Sequence, residues 1–584
     1  MNKGFTLIET LLAVGIFTII AVSIYFSYSN ILDVLISSQS NNVALSVMDN
    51  EIEIIRNMKY EDVGVQGGAP AGKLLQEKTV QQSGASFLLK SYVRNIDDPF
   101  DGTIGGTPND LSPADYKIVE LELTCPSCSR FSTKRITTRV SPLNLEAISK
   151  NGSLFVNVFD ASGHSLSAAD VHVVNNSVDP VINVTDITNL NGMLQLVDIA
   201  TSSVKYEIIV TKPGYSTDKT YLPGDPSNPD PLKPHATVAK QQVTPISFAI
   251  DKVSTVNLKT ADQVCVATPN IDYSLKGVKI IGVNPDTLKY STNSLTDSNG
   301  MKIINNLEWD TYNFQNLDSQ YDISAMSLLS PLTVNPDTTY NMSWVTELKN
   351  PASLLVVVQD SSGNLINDAS VQLTKTGFNQ TKISGYKVLT HTDWTGFLNT
   401  SSRTLKLETD NPSGQITVQF TNNKYATSSE ELISSTINLG TSNTQFKSLS
   451  WNPSSQPPEA GTDSLKFQIA TNNDNTNWNF TGPDRTPNTF YTVSSTAINP
   501  ANNNNQYLRY KMFMQTLNDQ FTPQLDDLSI EFHSPCTLDG QSFFSGLANA
   551  TYTLTVQKAG FQDFTDADVV INKNWDLYKV VLTP

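Results

Sequence analysis

Between Phe5 and Phe26 the chain runs for 22 residues with one charged side chain, Glu9. A stretch of that length and composition crosses a bilayer's hydrocarbon core as a single helix. A secretory signal would instead show a charged start, an apolar core of roughly 7 to 15 residues and then a small-residue cleavage site. Here Lys3 and Gly4 both precede the apolar run, so a cut there leaves it on the mature chain. A carboxylate within such a helix costs roughly 2.5 to 3.5 kcal/mol on insertion scales and marks function or a partner at similar depth. The blander reading is a plain anchor with Glu9 at the headgroup boundary. Basic residues stay cytoplasmic, so Lys3 and the amine of Met1 direct everything after the span outward.

The segment Lys3-Gly4-Phe5-Thr6-Leu7-Ile8-Glu9 resembles the leader and processing site of type IV prepilins and type II secretion pseudopilins. That resemblance implies cleavage by a prepilin peptidase between Gly4 and Phe5, N-methylation of Phe5, and a filament-assembly role for Glu9. The carboxylate would pair with the Phe5 amine of a neighbouring subunit. Other pilins or pseudopilins and an inner-membrane assembly platform are the implied partners.

Composition agrees with an outward address. The chain has 584 residues, too many for one core, with 39 basic against 56 acidic side chains and a net charge of −17. That balance argues against a phosphate-binding surface, so no nucleic acid partner is expected. Four cysteines make no disulfide framework, but an exported chain permits isolated bridges.

After the leader (1–4) and span (5–28), the residues 29–150 read as a pilin-like helix and head. Ile31, Leu35, Leu45, Met48, Ile52 and Ile55 recur at three- and four-residue steps, which predicts an amphipathic helix continuing to about Met58. Glycines from Gly64 to Gly72 end it, and strands are predicted at Ser86 to Val93, Tyr116 to Thr124 and Phe131 to Val140. Cys125-Pro126-Ser127-Cys128 lies between the last two. A redox motif would want a helix N-terminus and a zinc site a second ligand pair; neither is visible, so the expectation is a disulfide across a turn.

From Gly152 the chain reads as a string of β modules. Ser153-Leu154-Phe155-Val156-Asn157-Val158-Phe159-Asp160-Ala161-Ser162-Gly163 recurs as Ser353-Leu354-Leu355-Val356-Val357-Val358-Gln359-Asp360-Ser361-Ser362-Gly363. A second phrase pairs Tyr206-Glu207-Ile208-Ile209-Val210 and Lys212-Pro213-Gly214-Tyr215 with Tyr552-Thr553-Leu554-Thr555-Val556 and Lys558-Ala559-Gly560-Phe561. Thr311-Tyr312 is a partial middle copy. The phrases resemble carboxypeptidase regulatory-like domains, which implies transthyretin-like sandwiches at 151–252, 253–350 and, split, at 351–395 with 536–584. The second module lacks the Asp-x-Ser-Gly hairpin. Residues 396–535 read as an inserted jelly-roll-like sandwich, leaving and rejoining through one loop.

The insert is where recognition of a glycan or surface ligand is expected. Trp451, Trp478 and Tyr491 would serve as a sugar platform or as core, and Asn472 to Asn475 with Asp526-Asp527 as calcium ligands or solvated turns. Cys265 and Cys536 sit near strand edges in different modules, and a bridge needs Cα atoms within about 7 Å. His164, His172, His235, His391 and His533 make no HExxH pair, and no GxSxG elbow or phosphate-cradling glycine loop is present.

The expected fold class is mainly β and multidomain: a long N-terminal helix with a small α+β head, then several sandwiches. The expected function is that of a non-enzymatic minor pilin or pseudopilin, without cofactor or metal, displaying β modules for adhesion. Cargo secretion and a membrane-tethered glycan-active enzyme are the alternatives.

Overall fold

A computed structural model describes residues 7–128, 131–143, 148–395, 400–410 and 413–584. Its architecture is mainly β and multidomain, one long N-terminal helix followed by many strands in sheets. The helix α1, Leu7–Arg56, has no proline to break it and would be about 75 Å long at 1.5 Å per residue. Its second half packs on a four-stranded antiparallel sheet in chain order, Glu77–Gln82, Ala85–Ile96, Tyr116–Thr124 and Lys134–Val140. The two central strands bury alternate residues, among them Phe87, Leu89, Val119, Leu121 and Leu123, against that helix.

The buried helix face differs from the expected one. Ala44, Val47, Met48, Ile52 and Ile55 enter the core, while Ile31, Leu35 and Leu45 are exposed. At 100° per residue, Ile31 and Leu35 point away from Ala44 and Ile55, so one apolar pattern concealed two different faces. The last head strand also starts later than expected, at Lys134 rather than Phe131.

The next three sandwiches share one strand order. In each, the first strand lies between a parallel last strand and an antiparallel middle one. Gly152–Phe159 has Val243–Ala249 and Met193–Ile199 as neighbours; Ser254–Ala261 has Thr339–Leu348 and Met301–Leu307; Ser353–Asp360 has Trp575–Leu582 and Gln541–Phe544. The facing sheets centre on equivalent pairs: Asp170–Asn175 with Ser202–Thr211, Asp272–Gly277 with Asp310–Asn316, and Ser370–Lys375 with Ala550–Gln557. Each pair carries a buried tyrosine whose hydroxyl donates to an upstream carbonyl: Tyr206 to Ala200, Tyr312 to Glu308 and Tyr552 to Ala548. Burial pushes the Tyr206 hydroxyl up to about 12, which keeps it a neutral donor.

The second module does have the hairpin turn that its sequence hides. Asp160 and Asp360 each accept backbone N–H bonds from the residues two and four further on, with a positive-φ glycine, Gly163 or Gly363, in between. Asp262 accepts from Val264 and Val266 at 2.9 Å, and the glycine position is taken by Cys265 at φ 63°.

The third module is closed by segments on either side of the insert, its core running from Leu354 to Leu373 and then from Phe544 to Leu582. The boundary expected at 395/396 is too late. Lys387–His391 pairs with Asp527–His533 of the insert, and Trp394 lies in the insert's core. The insert itself has a sheet ordered Lys387–His391, Asp527–His533, Gln445–Asn452 and Thr496–Ala497. Facing it is one built around Tyr507–Met514.

Neighbouring modules are not loosely tethered. Strand Ser353–Asp360 is buried on both sides: Leu354, Val356 and Val358 fill its own sandwich, while Leu355 and Val357 join the core of the second module. The matching residues of the first module, Phe155 and Asn157, are only half-buried. Doubly covered strands read as continuous apolar runs, which is why Leu-Leu-Val-Val-Val replaces Leu-Phe-Val-Asn-Val.

Candidate functional site: an uncovered apolar helix and a stacked β stalk

Every large apolar side chain of α1 from Leu7 to Ile36 is exposed, including Leu7 at 81%, Phe17 at 72% and Leu35 at 59%. Water does not tolerate a face of that size on a stable monomer, so it belongs in a bilayer or against other helices. Two of the hydroxyls within it are satisfied internally. Thr18 Oγ1 donates to the Val14 carbonyl and Ser23 Oγ to the Ile19 carbonyl, each at 2.8 Å, so neither of these two hydroxyls needs water in an apolar medium. α1 is long and apolar enough to cross a membrane. Glu9 lies on its first turns with a helical backbone, its side chain outside the described set; Gly4 and Phe5 lie outside the described residues altogether.

Below this face the helix is held to the head. Glu51, 8% exposed, accepts from Lys78 Nζ at 2.5 Å, an acid-base pair that the sequence reading missed because the partners lie 27 positions apart. Cys125 and Cys128 are bonded to each other, Cα atoms 5.3 Å apart, just after the strand Tyr116–Thr124. Lys117 Nζ donates to the carbonyls of Tyr60 and Val63, and burial pushes it down to about 8.

At the far end the insert offers little of the expected sugar platform. Trp451 and Tyr491 are buried in its core at 2% and 0% exposure, and Trp478 is half-buried with the Arg509 guanidinium 4.6 Å from its ring centre. Asp474 is occupied as a turn residue, accepting from Thr476 N, Asn477 N and Asn477 Nδ2; these bonds hold its carboxyl well below the usual range. Asp526 accepts from Gln415 and Gln524, and Asp527 from Asn452. Among the described residues no group of three or more His, Cys, Asp or Glu is placed to hold a metal ion. Cys265 and Cys536, 271 positions apart, are joined by a disulfide with Cα atoms 5.5 Å apart.

Residues 1–25 match the prokaryotic N-terminal methylation motif. No curated protein matches the chain. Among solved structures, the Bacillus anthracis TIE protein is similar at 11% identity and TM-score 0.16, over 53% of this chain and 68% of that one. A streptococcal ancillary pilin matches at 11% identity and TM-score 0.17, covering 39% of this chain and 75% of its own. GBS52, the minor pilin of Streptococcus agalactiae, matches at 12% identity and TM-score 0.17, covering 34% of this chain and 96% of its own. Values this low leave function to be argued from the chain's own residues.

Proposed function

We propose that this chain is a minor pilin or pseudopilin whose α1 enters a type IV filament or secretion pseudopilus and whose β modules project from it to adhere to or recognise a surface. The observation that carries the reading is the methylation motif continuing directly into an uncovered apolar helix whose other half is anchored in a folded head. A prepilin peptidase releases residues 1–4, the Phe5 amine is methylated, and Glu9 pairs with that amine on the next subunit, which removes the cost of a lone acid in an apolar medium. Bound by its helix alone, the chain places its head and modules outside the cytoplasmic membrane. The repeated strand order supports reading the three modules as regulatory-like sandwiches, a scaffold that requires no chemistry of its own. The bulk of the outer part suits a tip or an occasional position better than every place in a shaft. Sheared filaments from a strain carrying Glu9→Ala test this reading: the protein is expected to vanish from the filament fraction and stay in the membrane. Unchanged recovery in filaments would refute it.

A further inference from the structure

The Cys265–Cys536 bond sits where three bodies meet. Cys265 lies on the hairpin turn of the second module, and Cys536 on the segment by which the chain returns from the insert to the third module. Modules one and three use glycine at the turn position where φ is positive, so a side chain there carries a backbone cost that the bond must offset. The same turn makes two more contacts. Gln263 Nε2 donates to Glu347, whose carboxylate also faces Lys387 Nζ at 3.8 Å on the first strand of the insert. Gly440 of the insert approaches so closely that a Cβ there would lie 1.5 Å from the Val264 carbonyl oxygen. The two necks of the insert are themselves tied together, His533 Nδ1 donating to the Gly385 carbonyl at 2.7 Å.

We propose that this bond is a mechanical shunt: tension applied to the insert passes through Cys536 and Cys265 directly into the second module and bypasses the third. Along the polypeptide alone, a pull on the insert would reach the second module only through strands 353–383, peeling the split sandwich open. With the bond in place that segment lies inside a closed covalent loop and carries no net extension until the insert itself unfolds. The second and third modules, already sharing a core through Leu355, Val357 and Phe543, then behave with the docked insert as one mechanical body. This concerns the chain itself and holds whether or not α1 enters a filament.

The test is single-molecule stretching of the full chain in detergent, with handles at Ser83 on the head hairpin and Asn423 on the far hairpin of the insert. Cys265→Gly with Cys536→Ser removes the bond, restores the glycine used by the sister turns and leaves Cys125–Cys128 intact. The variant is expected to add an extension step of roughly 100 Å before the insert unfolds, the length of about 30 stretched residues. The wild type is expected to lack that step. Should the variant fail to fold, wild-type protein held under tension and then exposed to dithiothreitol gives the comparison, since reduction of Cys125–Cys128 as well can release only about 10 Å of chain, far short of the expected step. Superimposable traces with and without the bond would overturn the proposal. Gly440→Ala, which wedges the docked surfaces apart but spares the disulfide, is expected to leave the wild-type trace without the early step.

Discussion

Arg94 on the second strand of the head grips Asp186 of the first module with both ends of its fork, Nε donating to Oδ2 at 2.6 Å and Nη2 to Oδ1. Asp186 is 4% exposed, so the guanidinium is what makes its burial tolerable. Removing one partner of a buried pair leaves an uncompensated charge and costs about 3 kcal/mol. Arg94→Ala is therefore expected to destabilise the junction of head and first module by that order, measured by denaturant unfolding. Arg94→Ala with Asp186→Ala together should cost less than the sum of the two single changes.

Val357 tests the shared core of the second and third modules. Its counterpart in the first module is the half-buried Asn157, so Val357→Asn places on this strand the polar group its sister tolerates. Against the second module that amide has no partner, and a loss of about 3 kcal/mol is expected, seen as a lower thermal transition. The reciprocal Asn157→Val should stay within about 0.5 kcal/mol.

His391 gives the insert an acid sensitivity. Its Nδ1 accepts from the Tyr510 hydroxyl at 3.0 Å, and that hydroxyl accepts from Trp394 Nε1 at 2.7 Å. Burial pushes the imidazole down from 6.5 to about 4, so it is neutral in the folded protein where the unfolded chain is already protonated. The unfolded state then binds more protons between those values. Stability is accordingly full above pH 6.5 and falls as pH drops towards 4, by about 3 kcal/mol. Following unfolding of the insert by tryptophan fluorescence across that window should show the slope, and His391→Gln should flatten it.

The turn at Gly363 adopts φ 84° with no heavy atom within 4 Å of a Cβ built there. Gly363→Ala therefore meets backbone strain and nothing else, and about 1 kcal/mol of destabilisation is expected in the third module by thermal unfolding.

Much of this architecture was legible because it rests on short-range pattern. The alternating run Tyr116 to Thr124 is a strand at those limits and the run Ser86 to Val93 lies within Ala85–Ile96, since burial of every second residue writes itself into sequence. What stayed hidden depended on contacts between distant segments. Leu355 and Val357 read as part of a recurrence of the first module's strand, although they are apolar because a second sandwich covers them. The turn at Asp262 is hidden in the sequence because it carries Cys265 where glycine is the usual signal; the Asp-to-i+3 spacing is the clue available. Lys387 and Trp394 belong to the insert rather than the third module, and the sequence hides this because a strand's partner, here Asp527–His533, cannot be read from the strand itself. On α1, one stretch of three- and four-residue steps joined the face that meets the head to the opposite face left bare above it.

The N-terminal peptide of the protein purified from cells that make filaments tests the central claim most directly, by mass spectrometry. A peptide beginning at Phe5 with one added methyl group on its amine is the predicted result. A peptide beginning at Met1, unmethylated, would contradict the account.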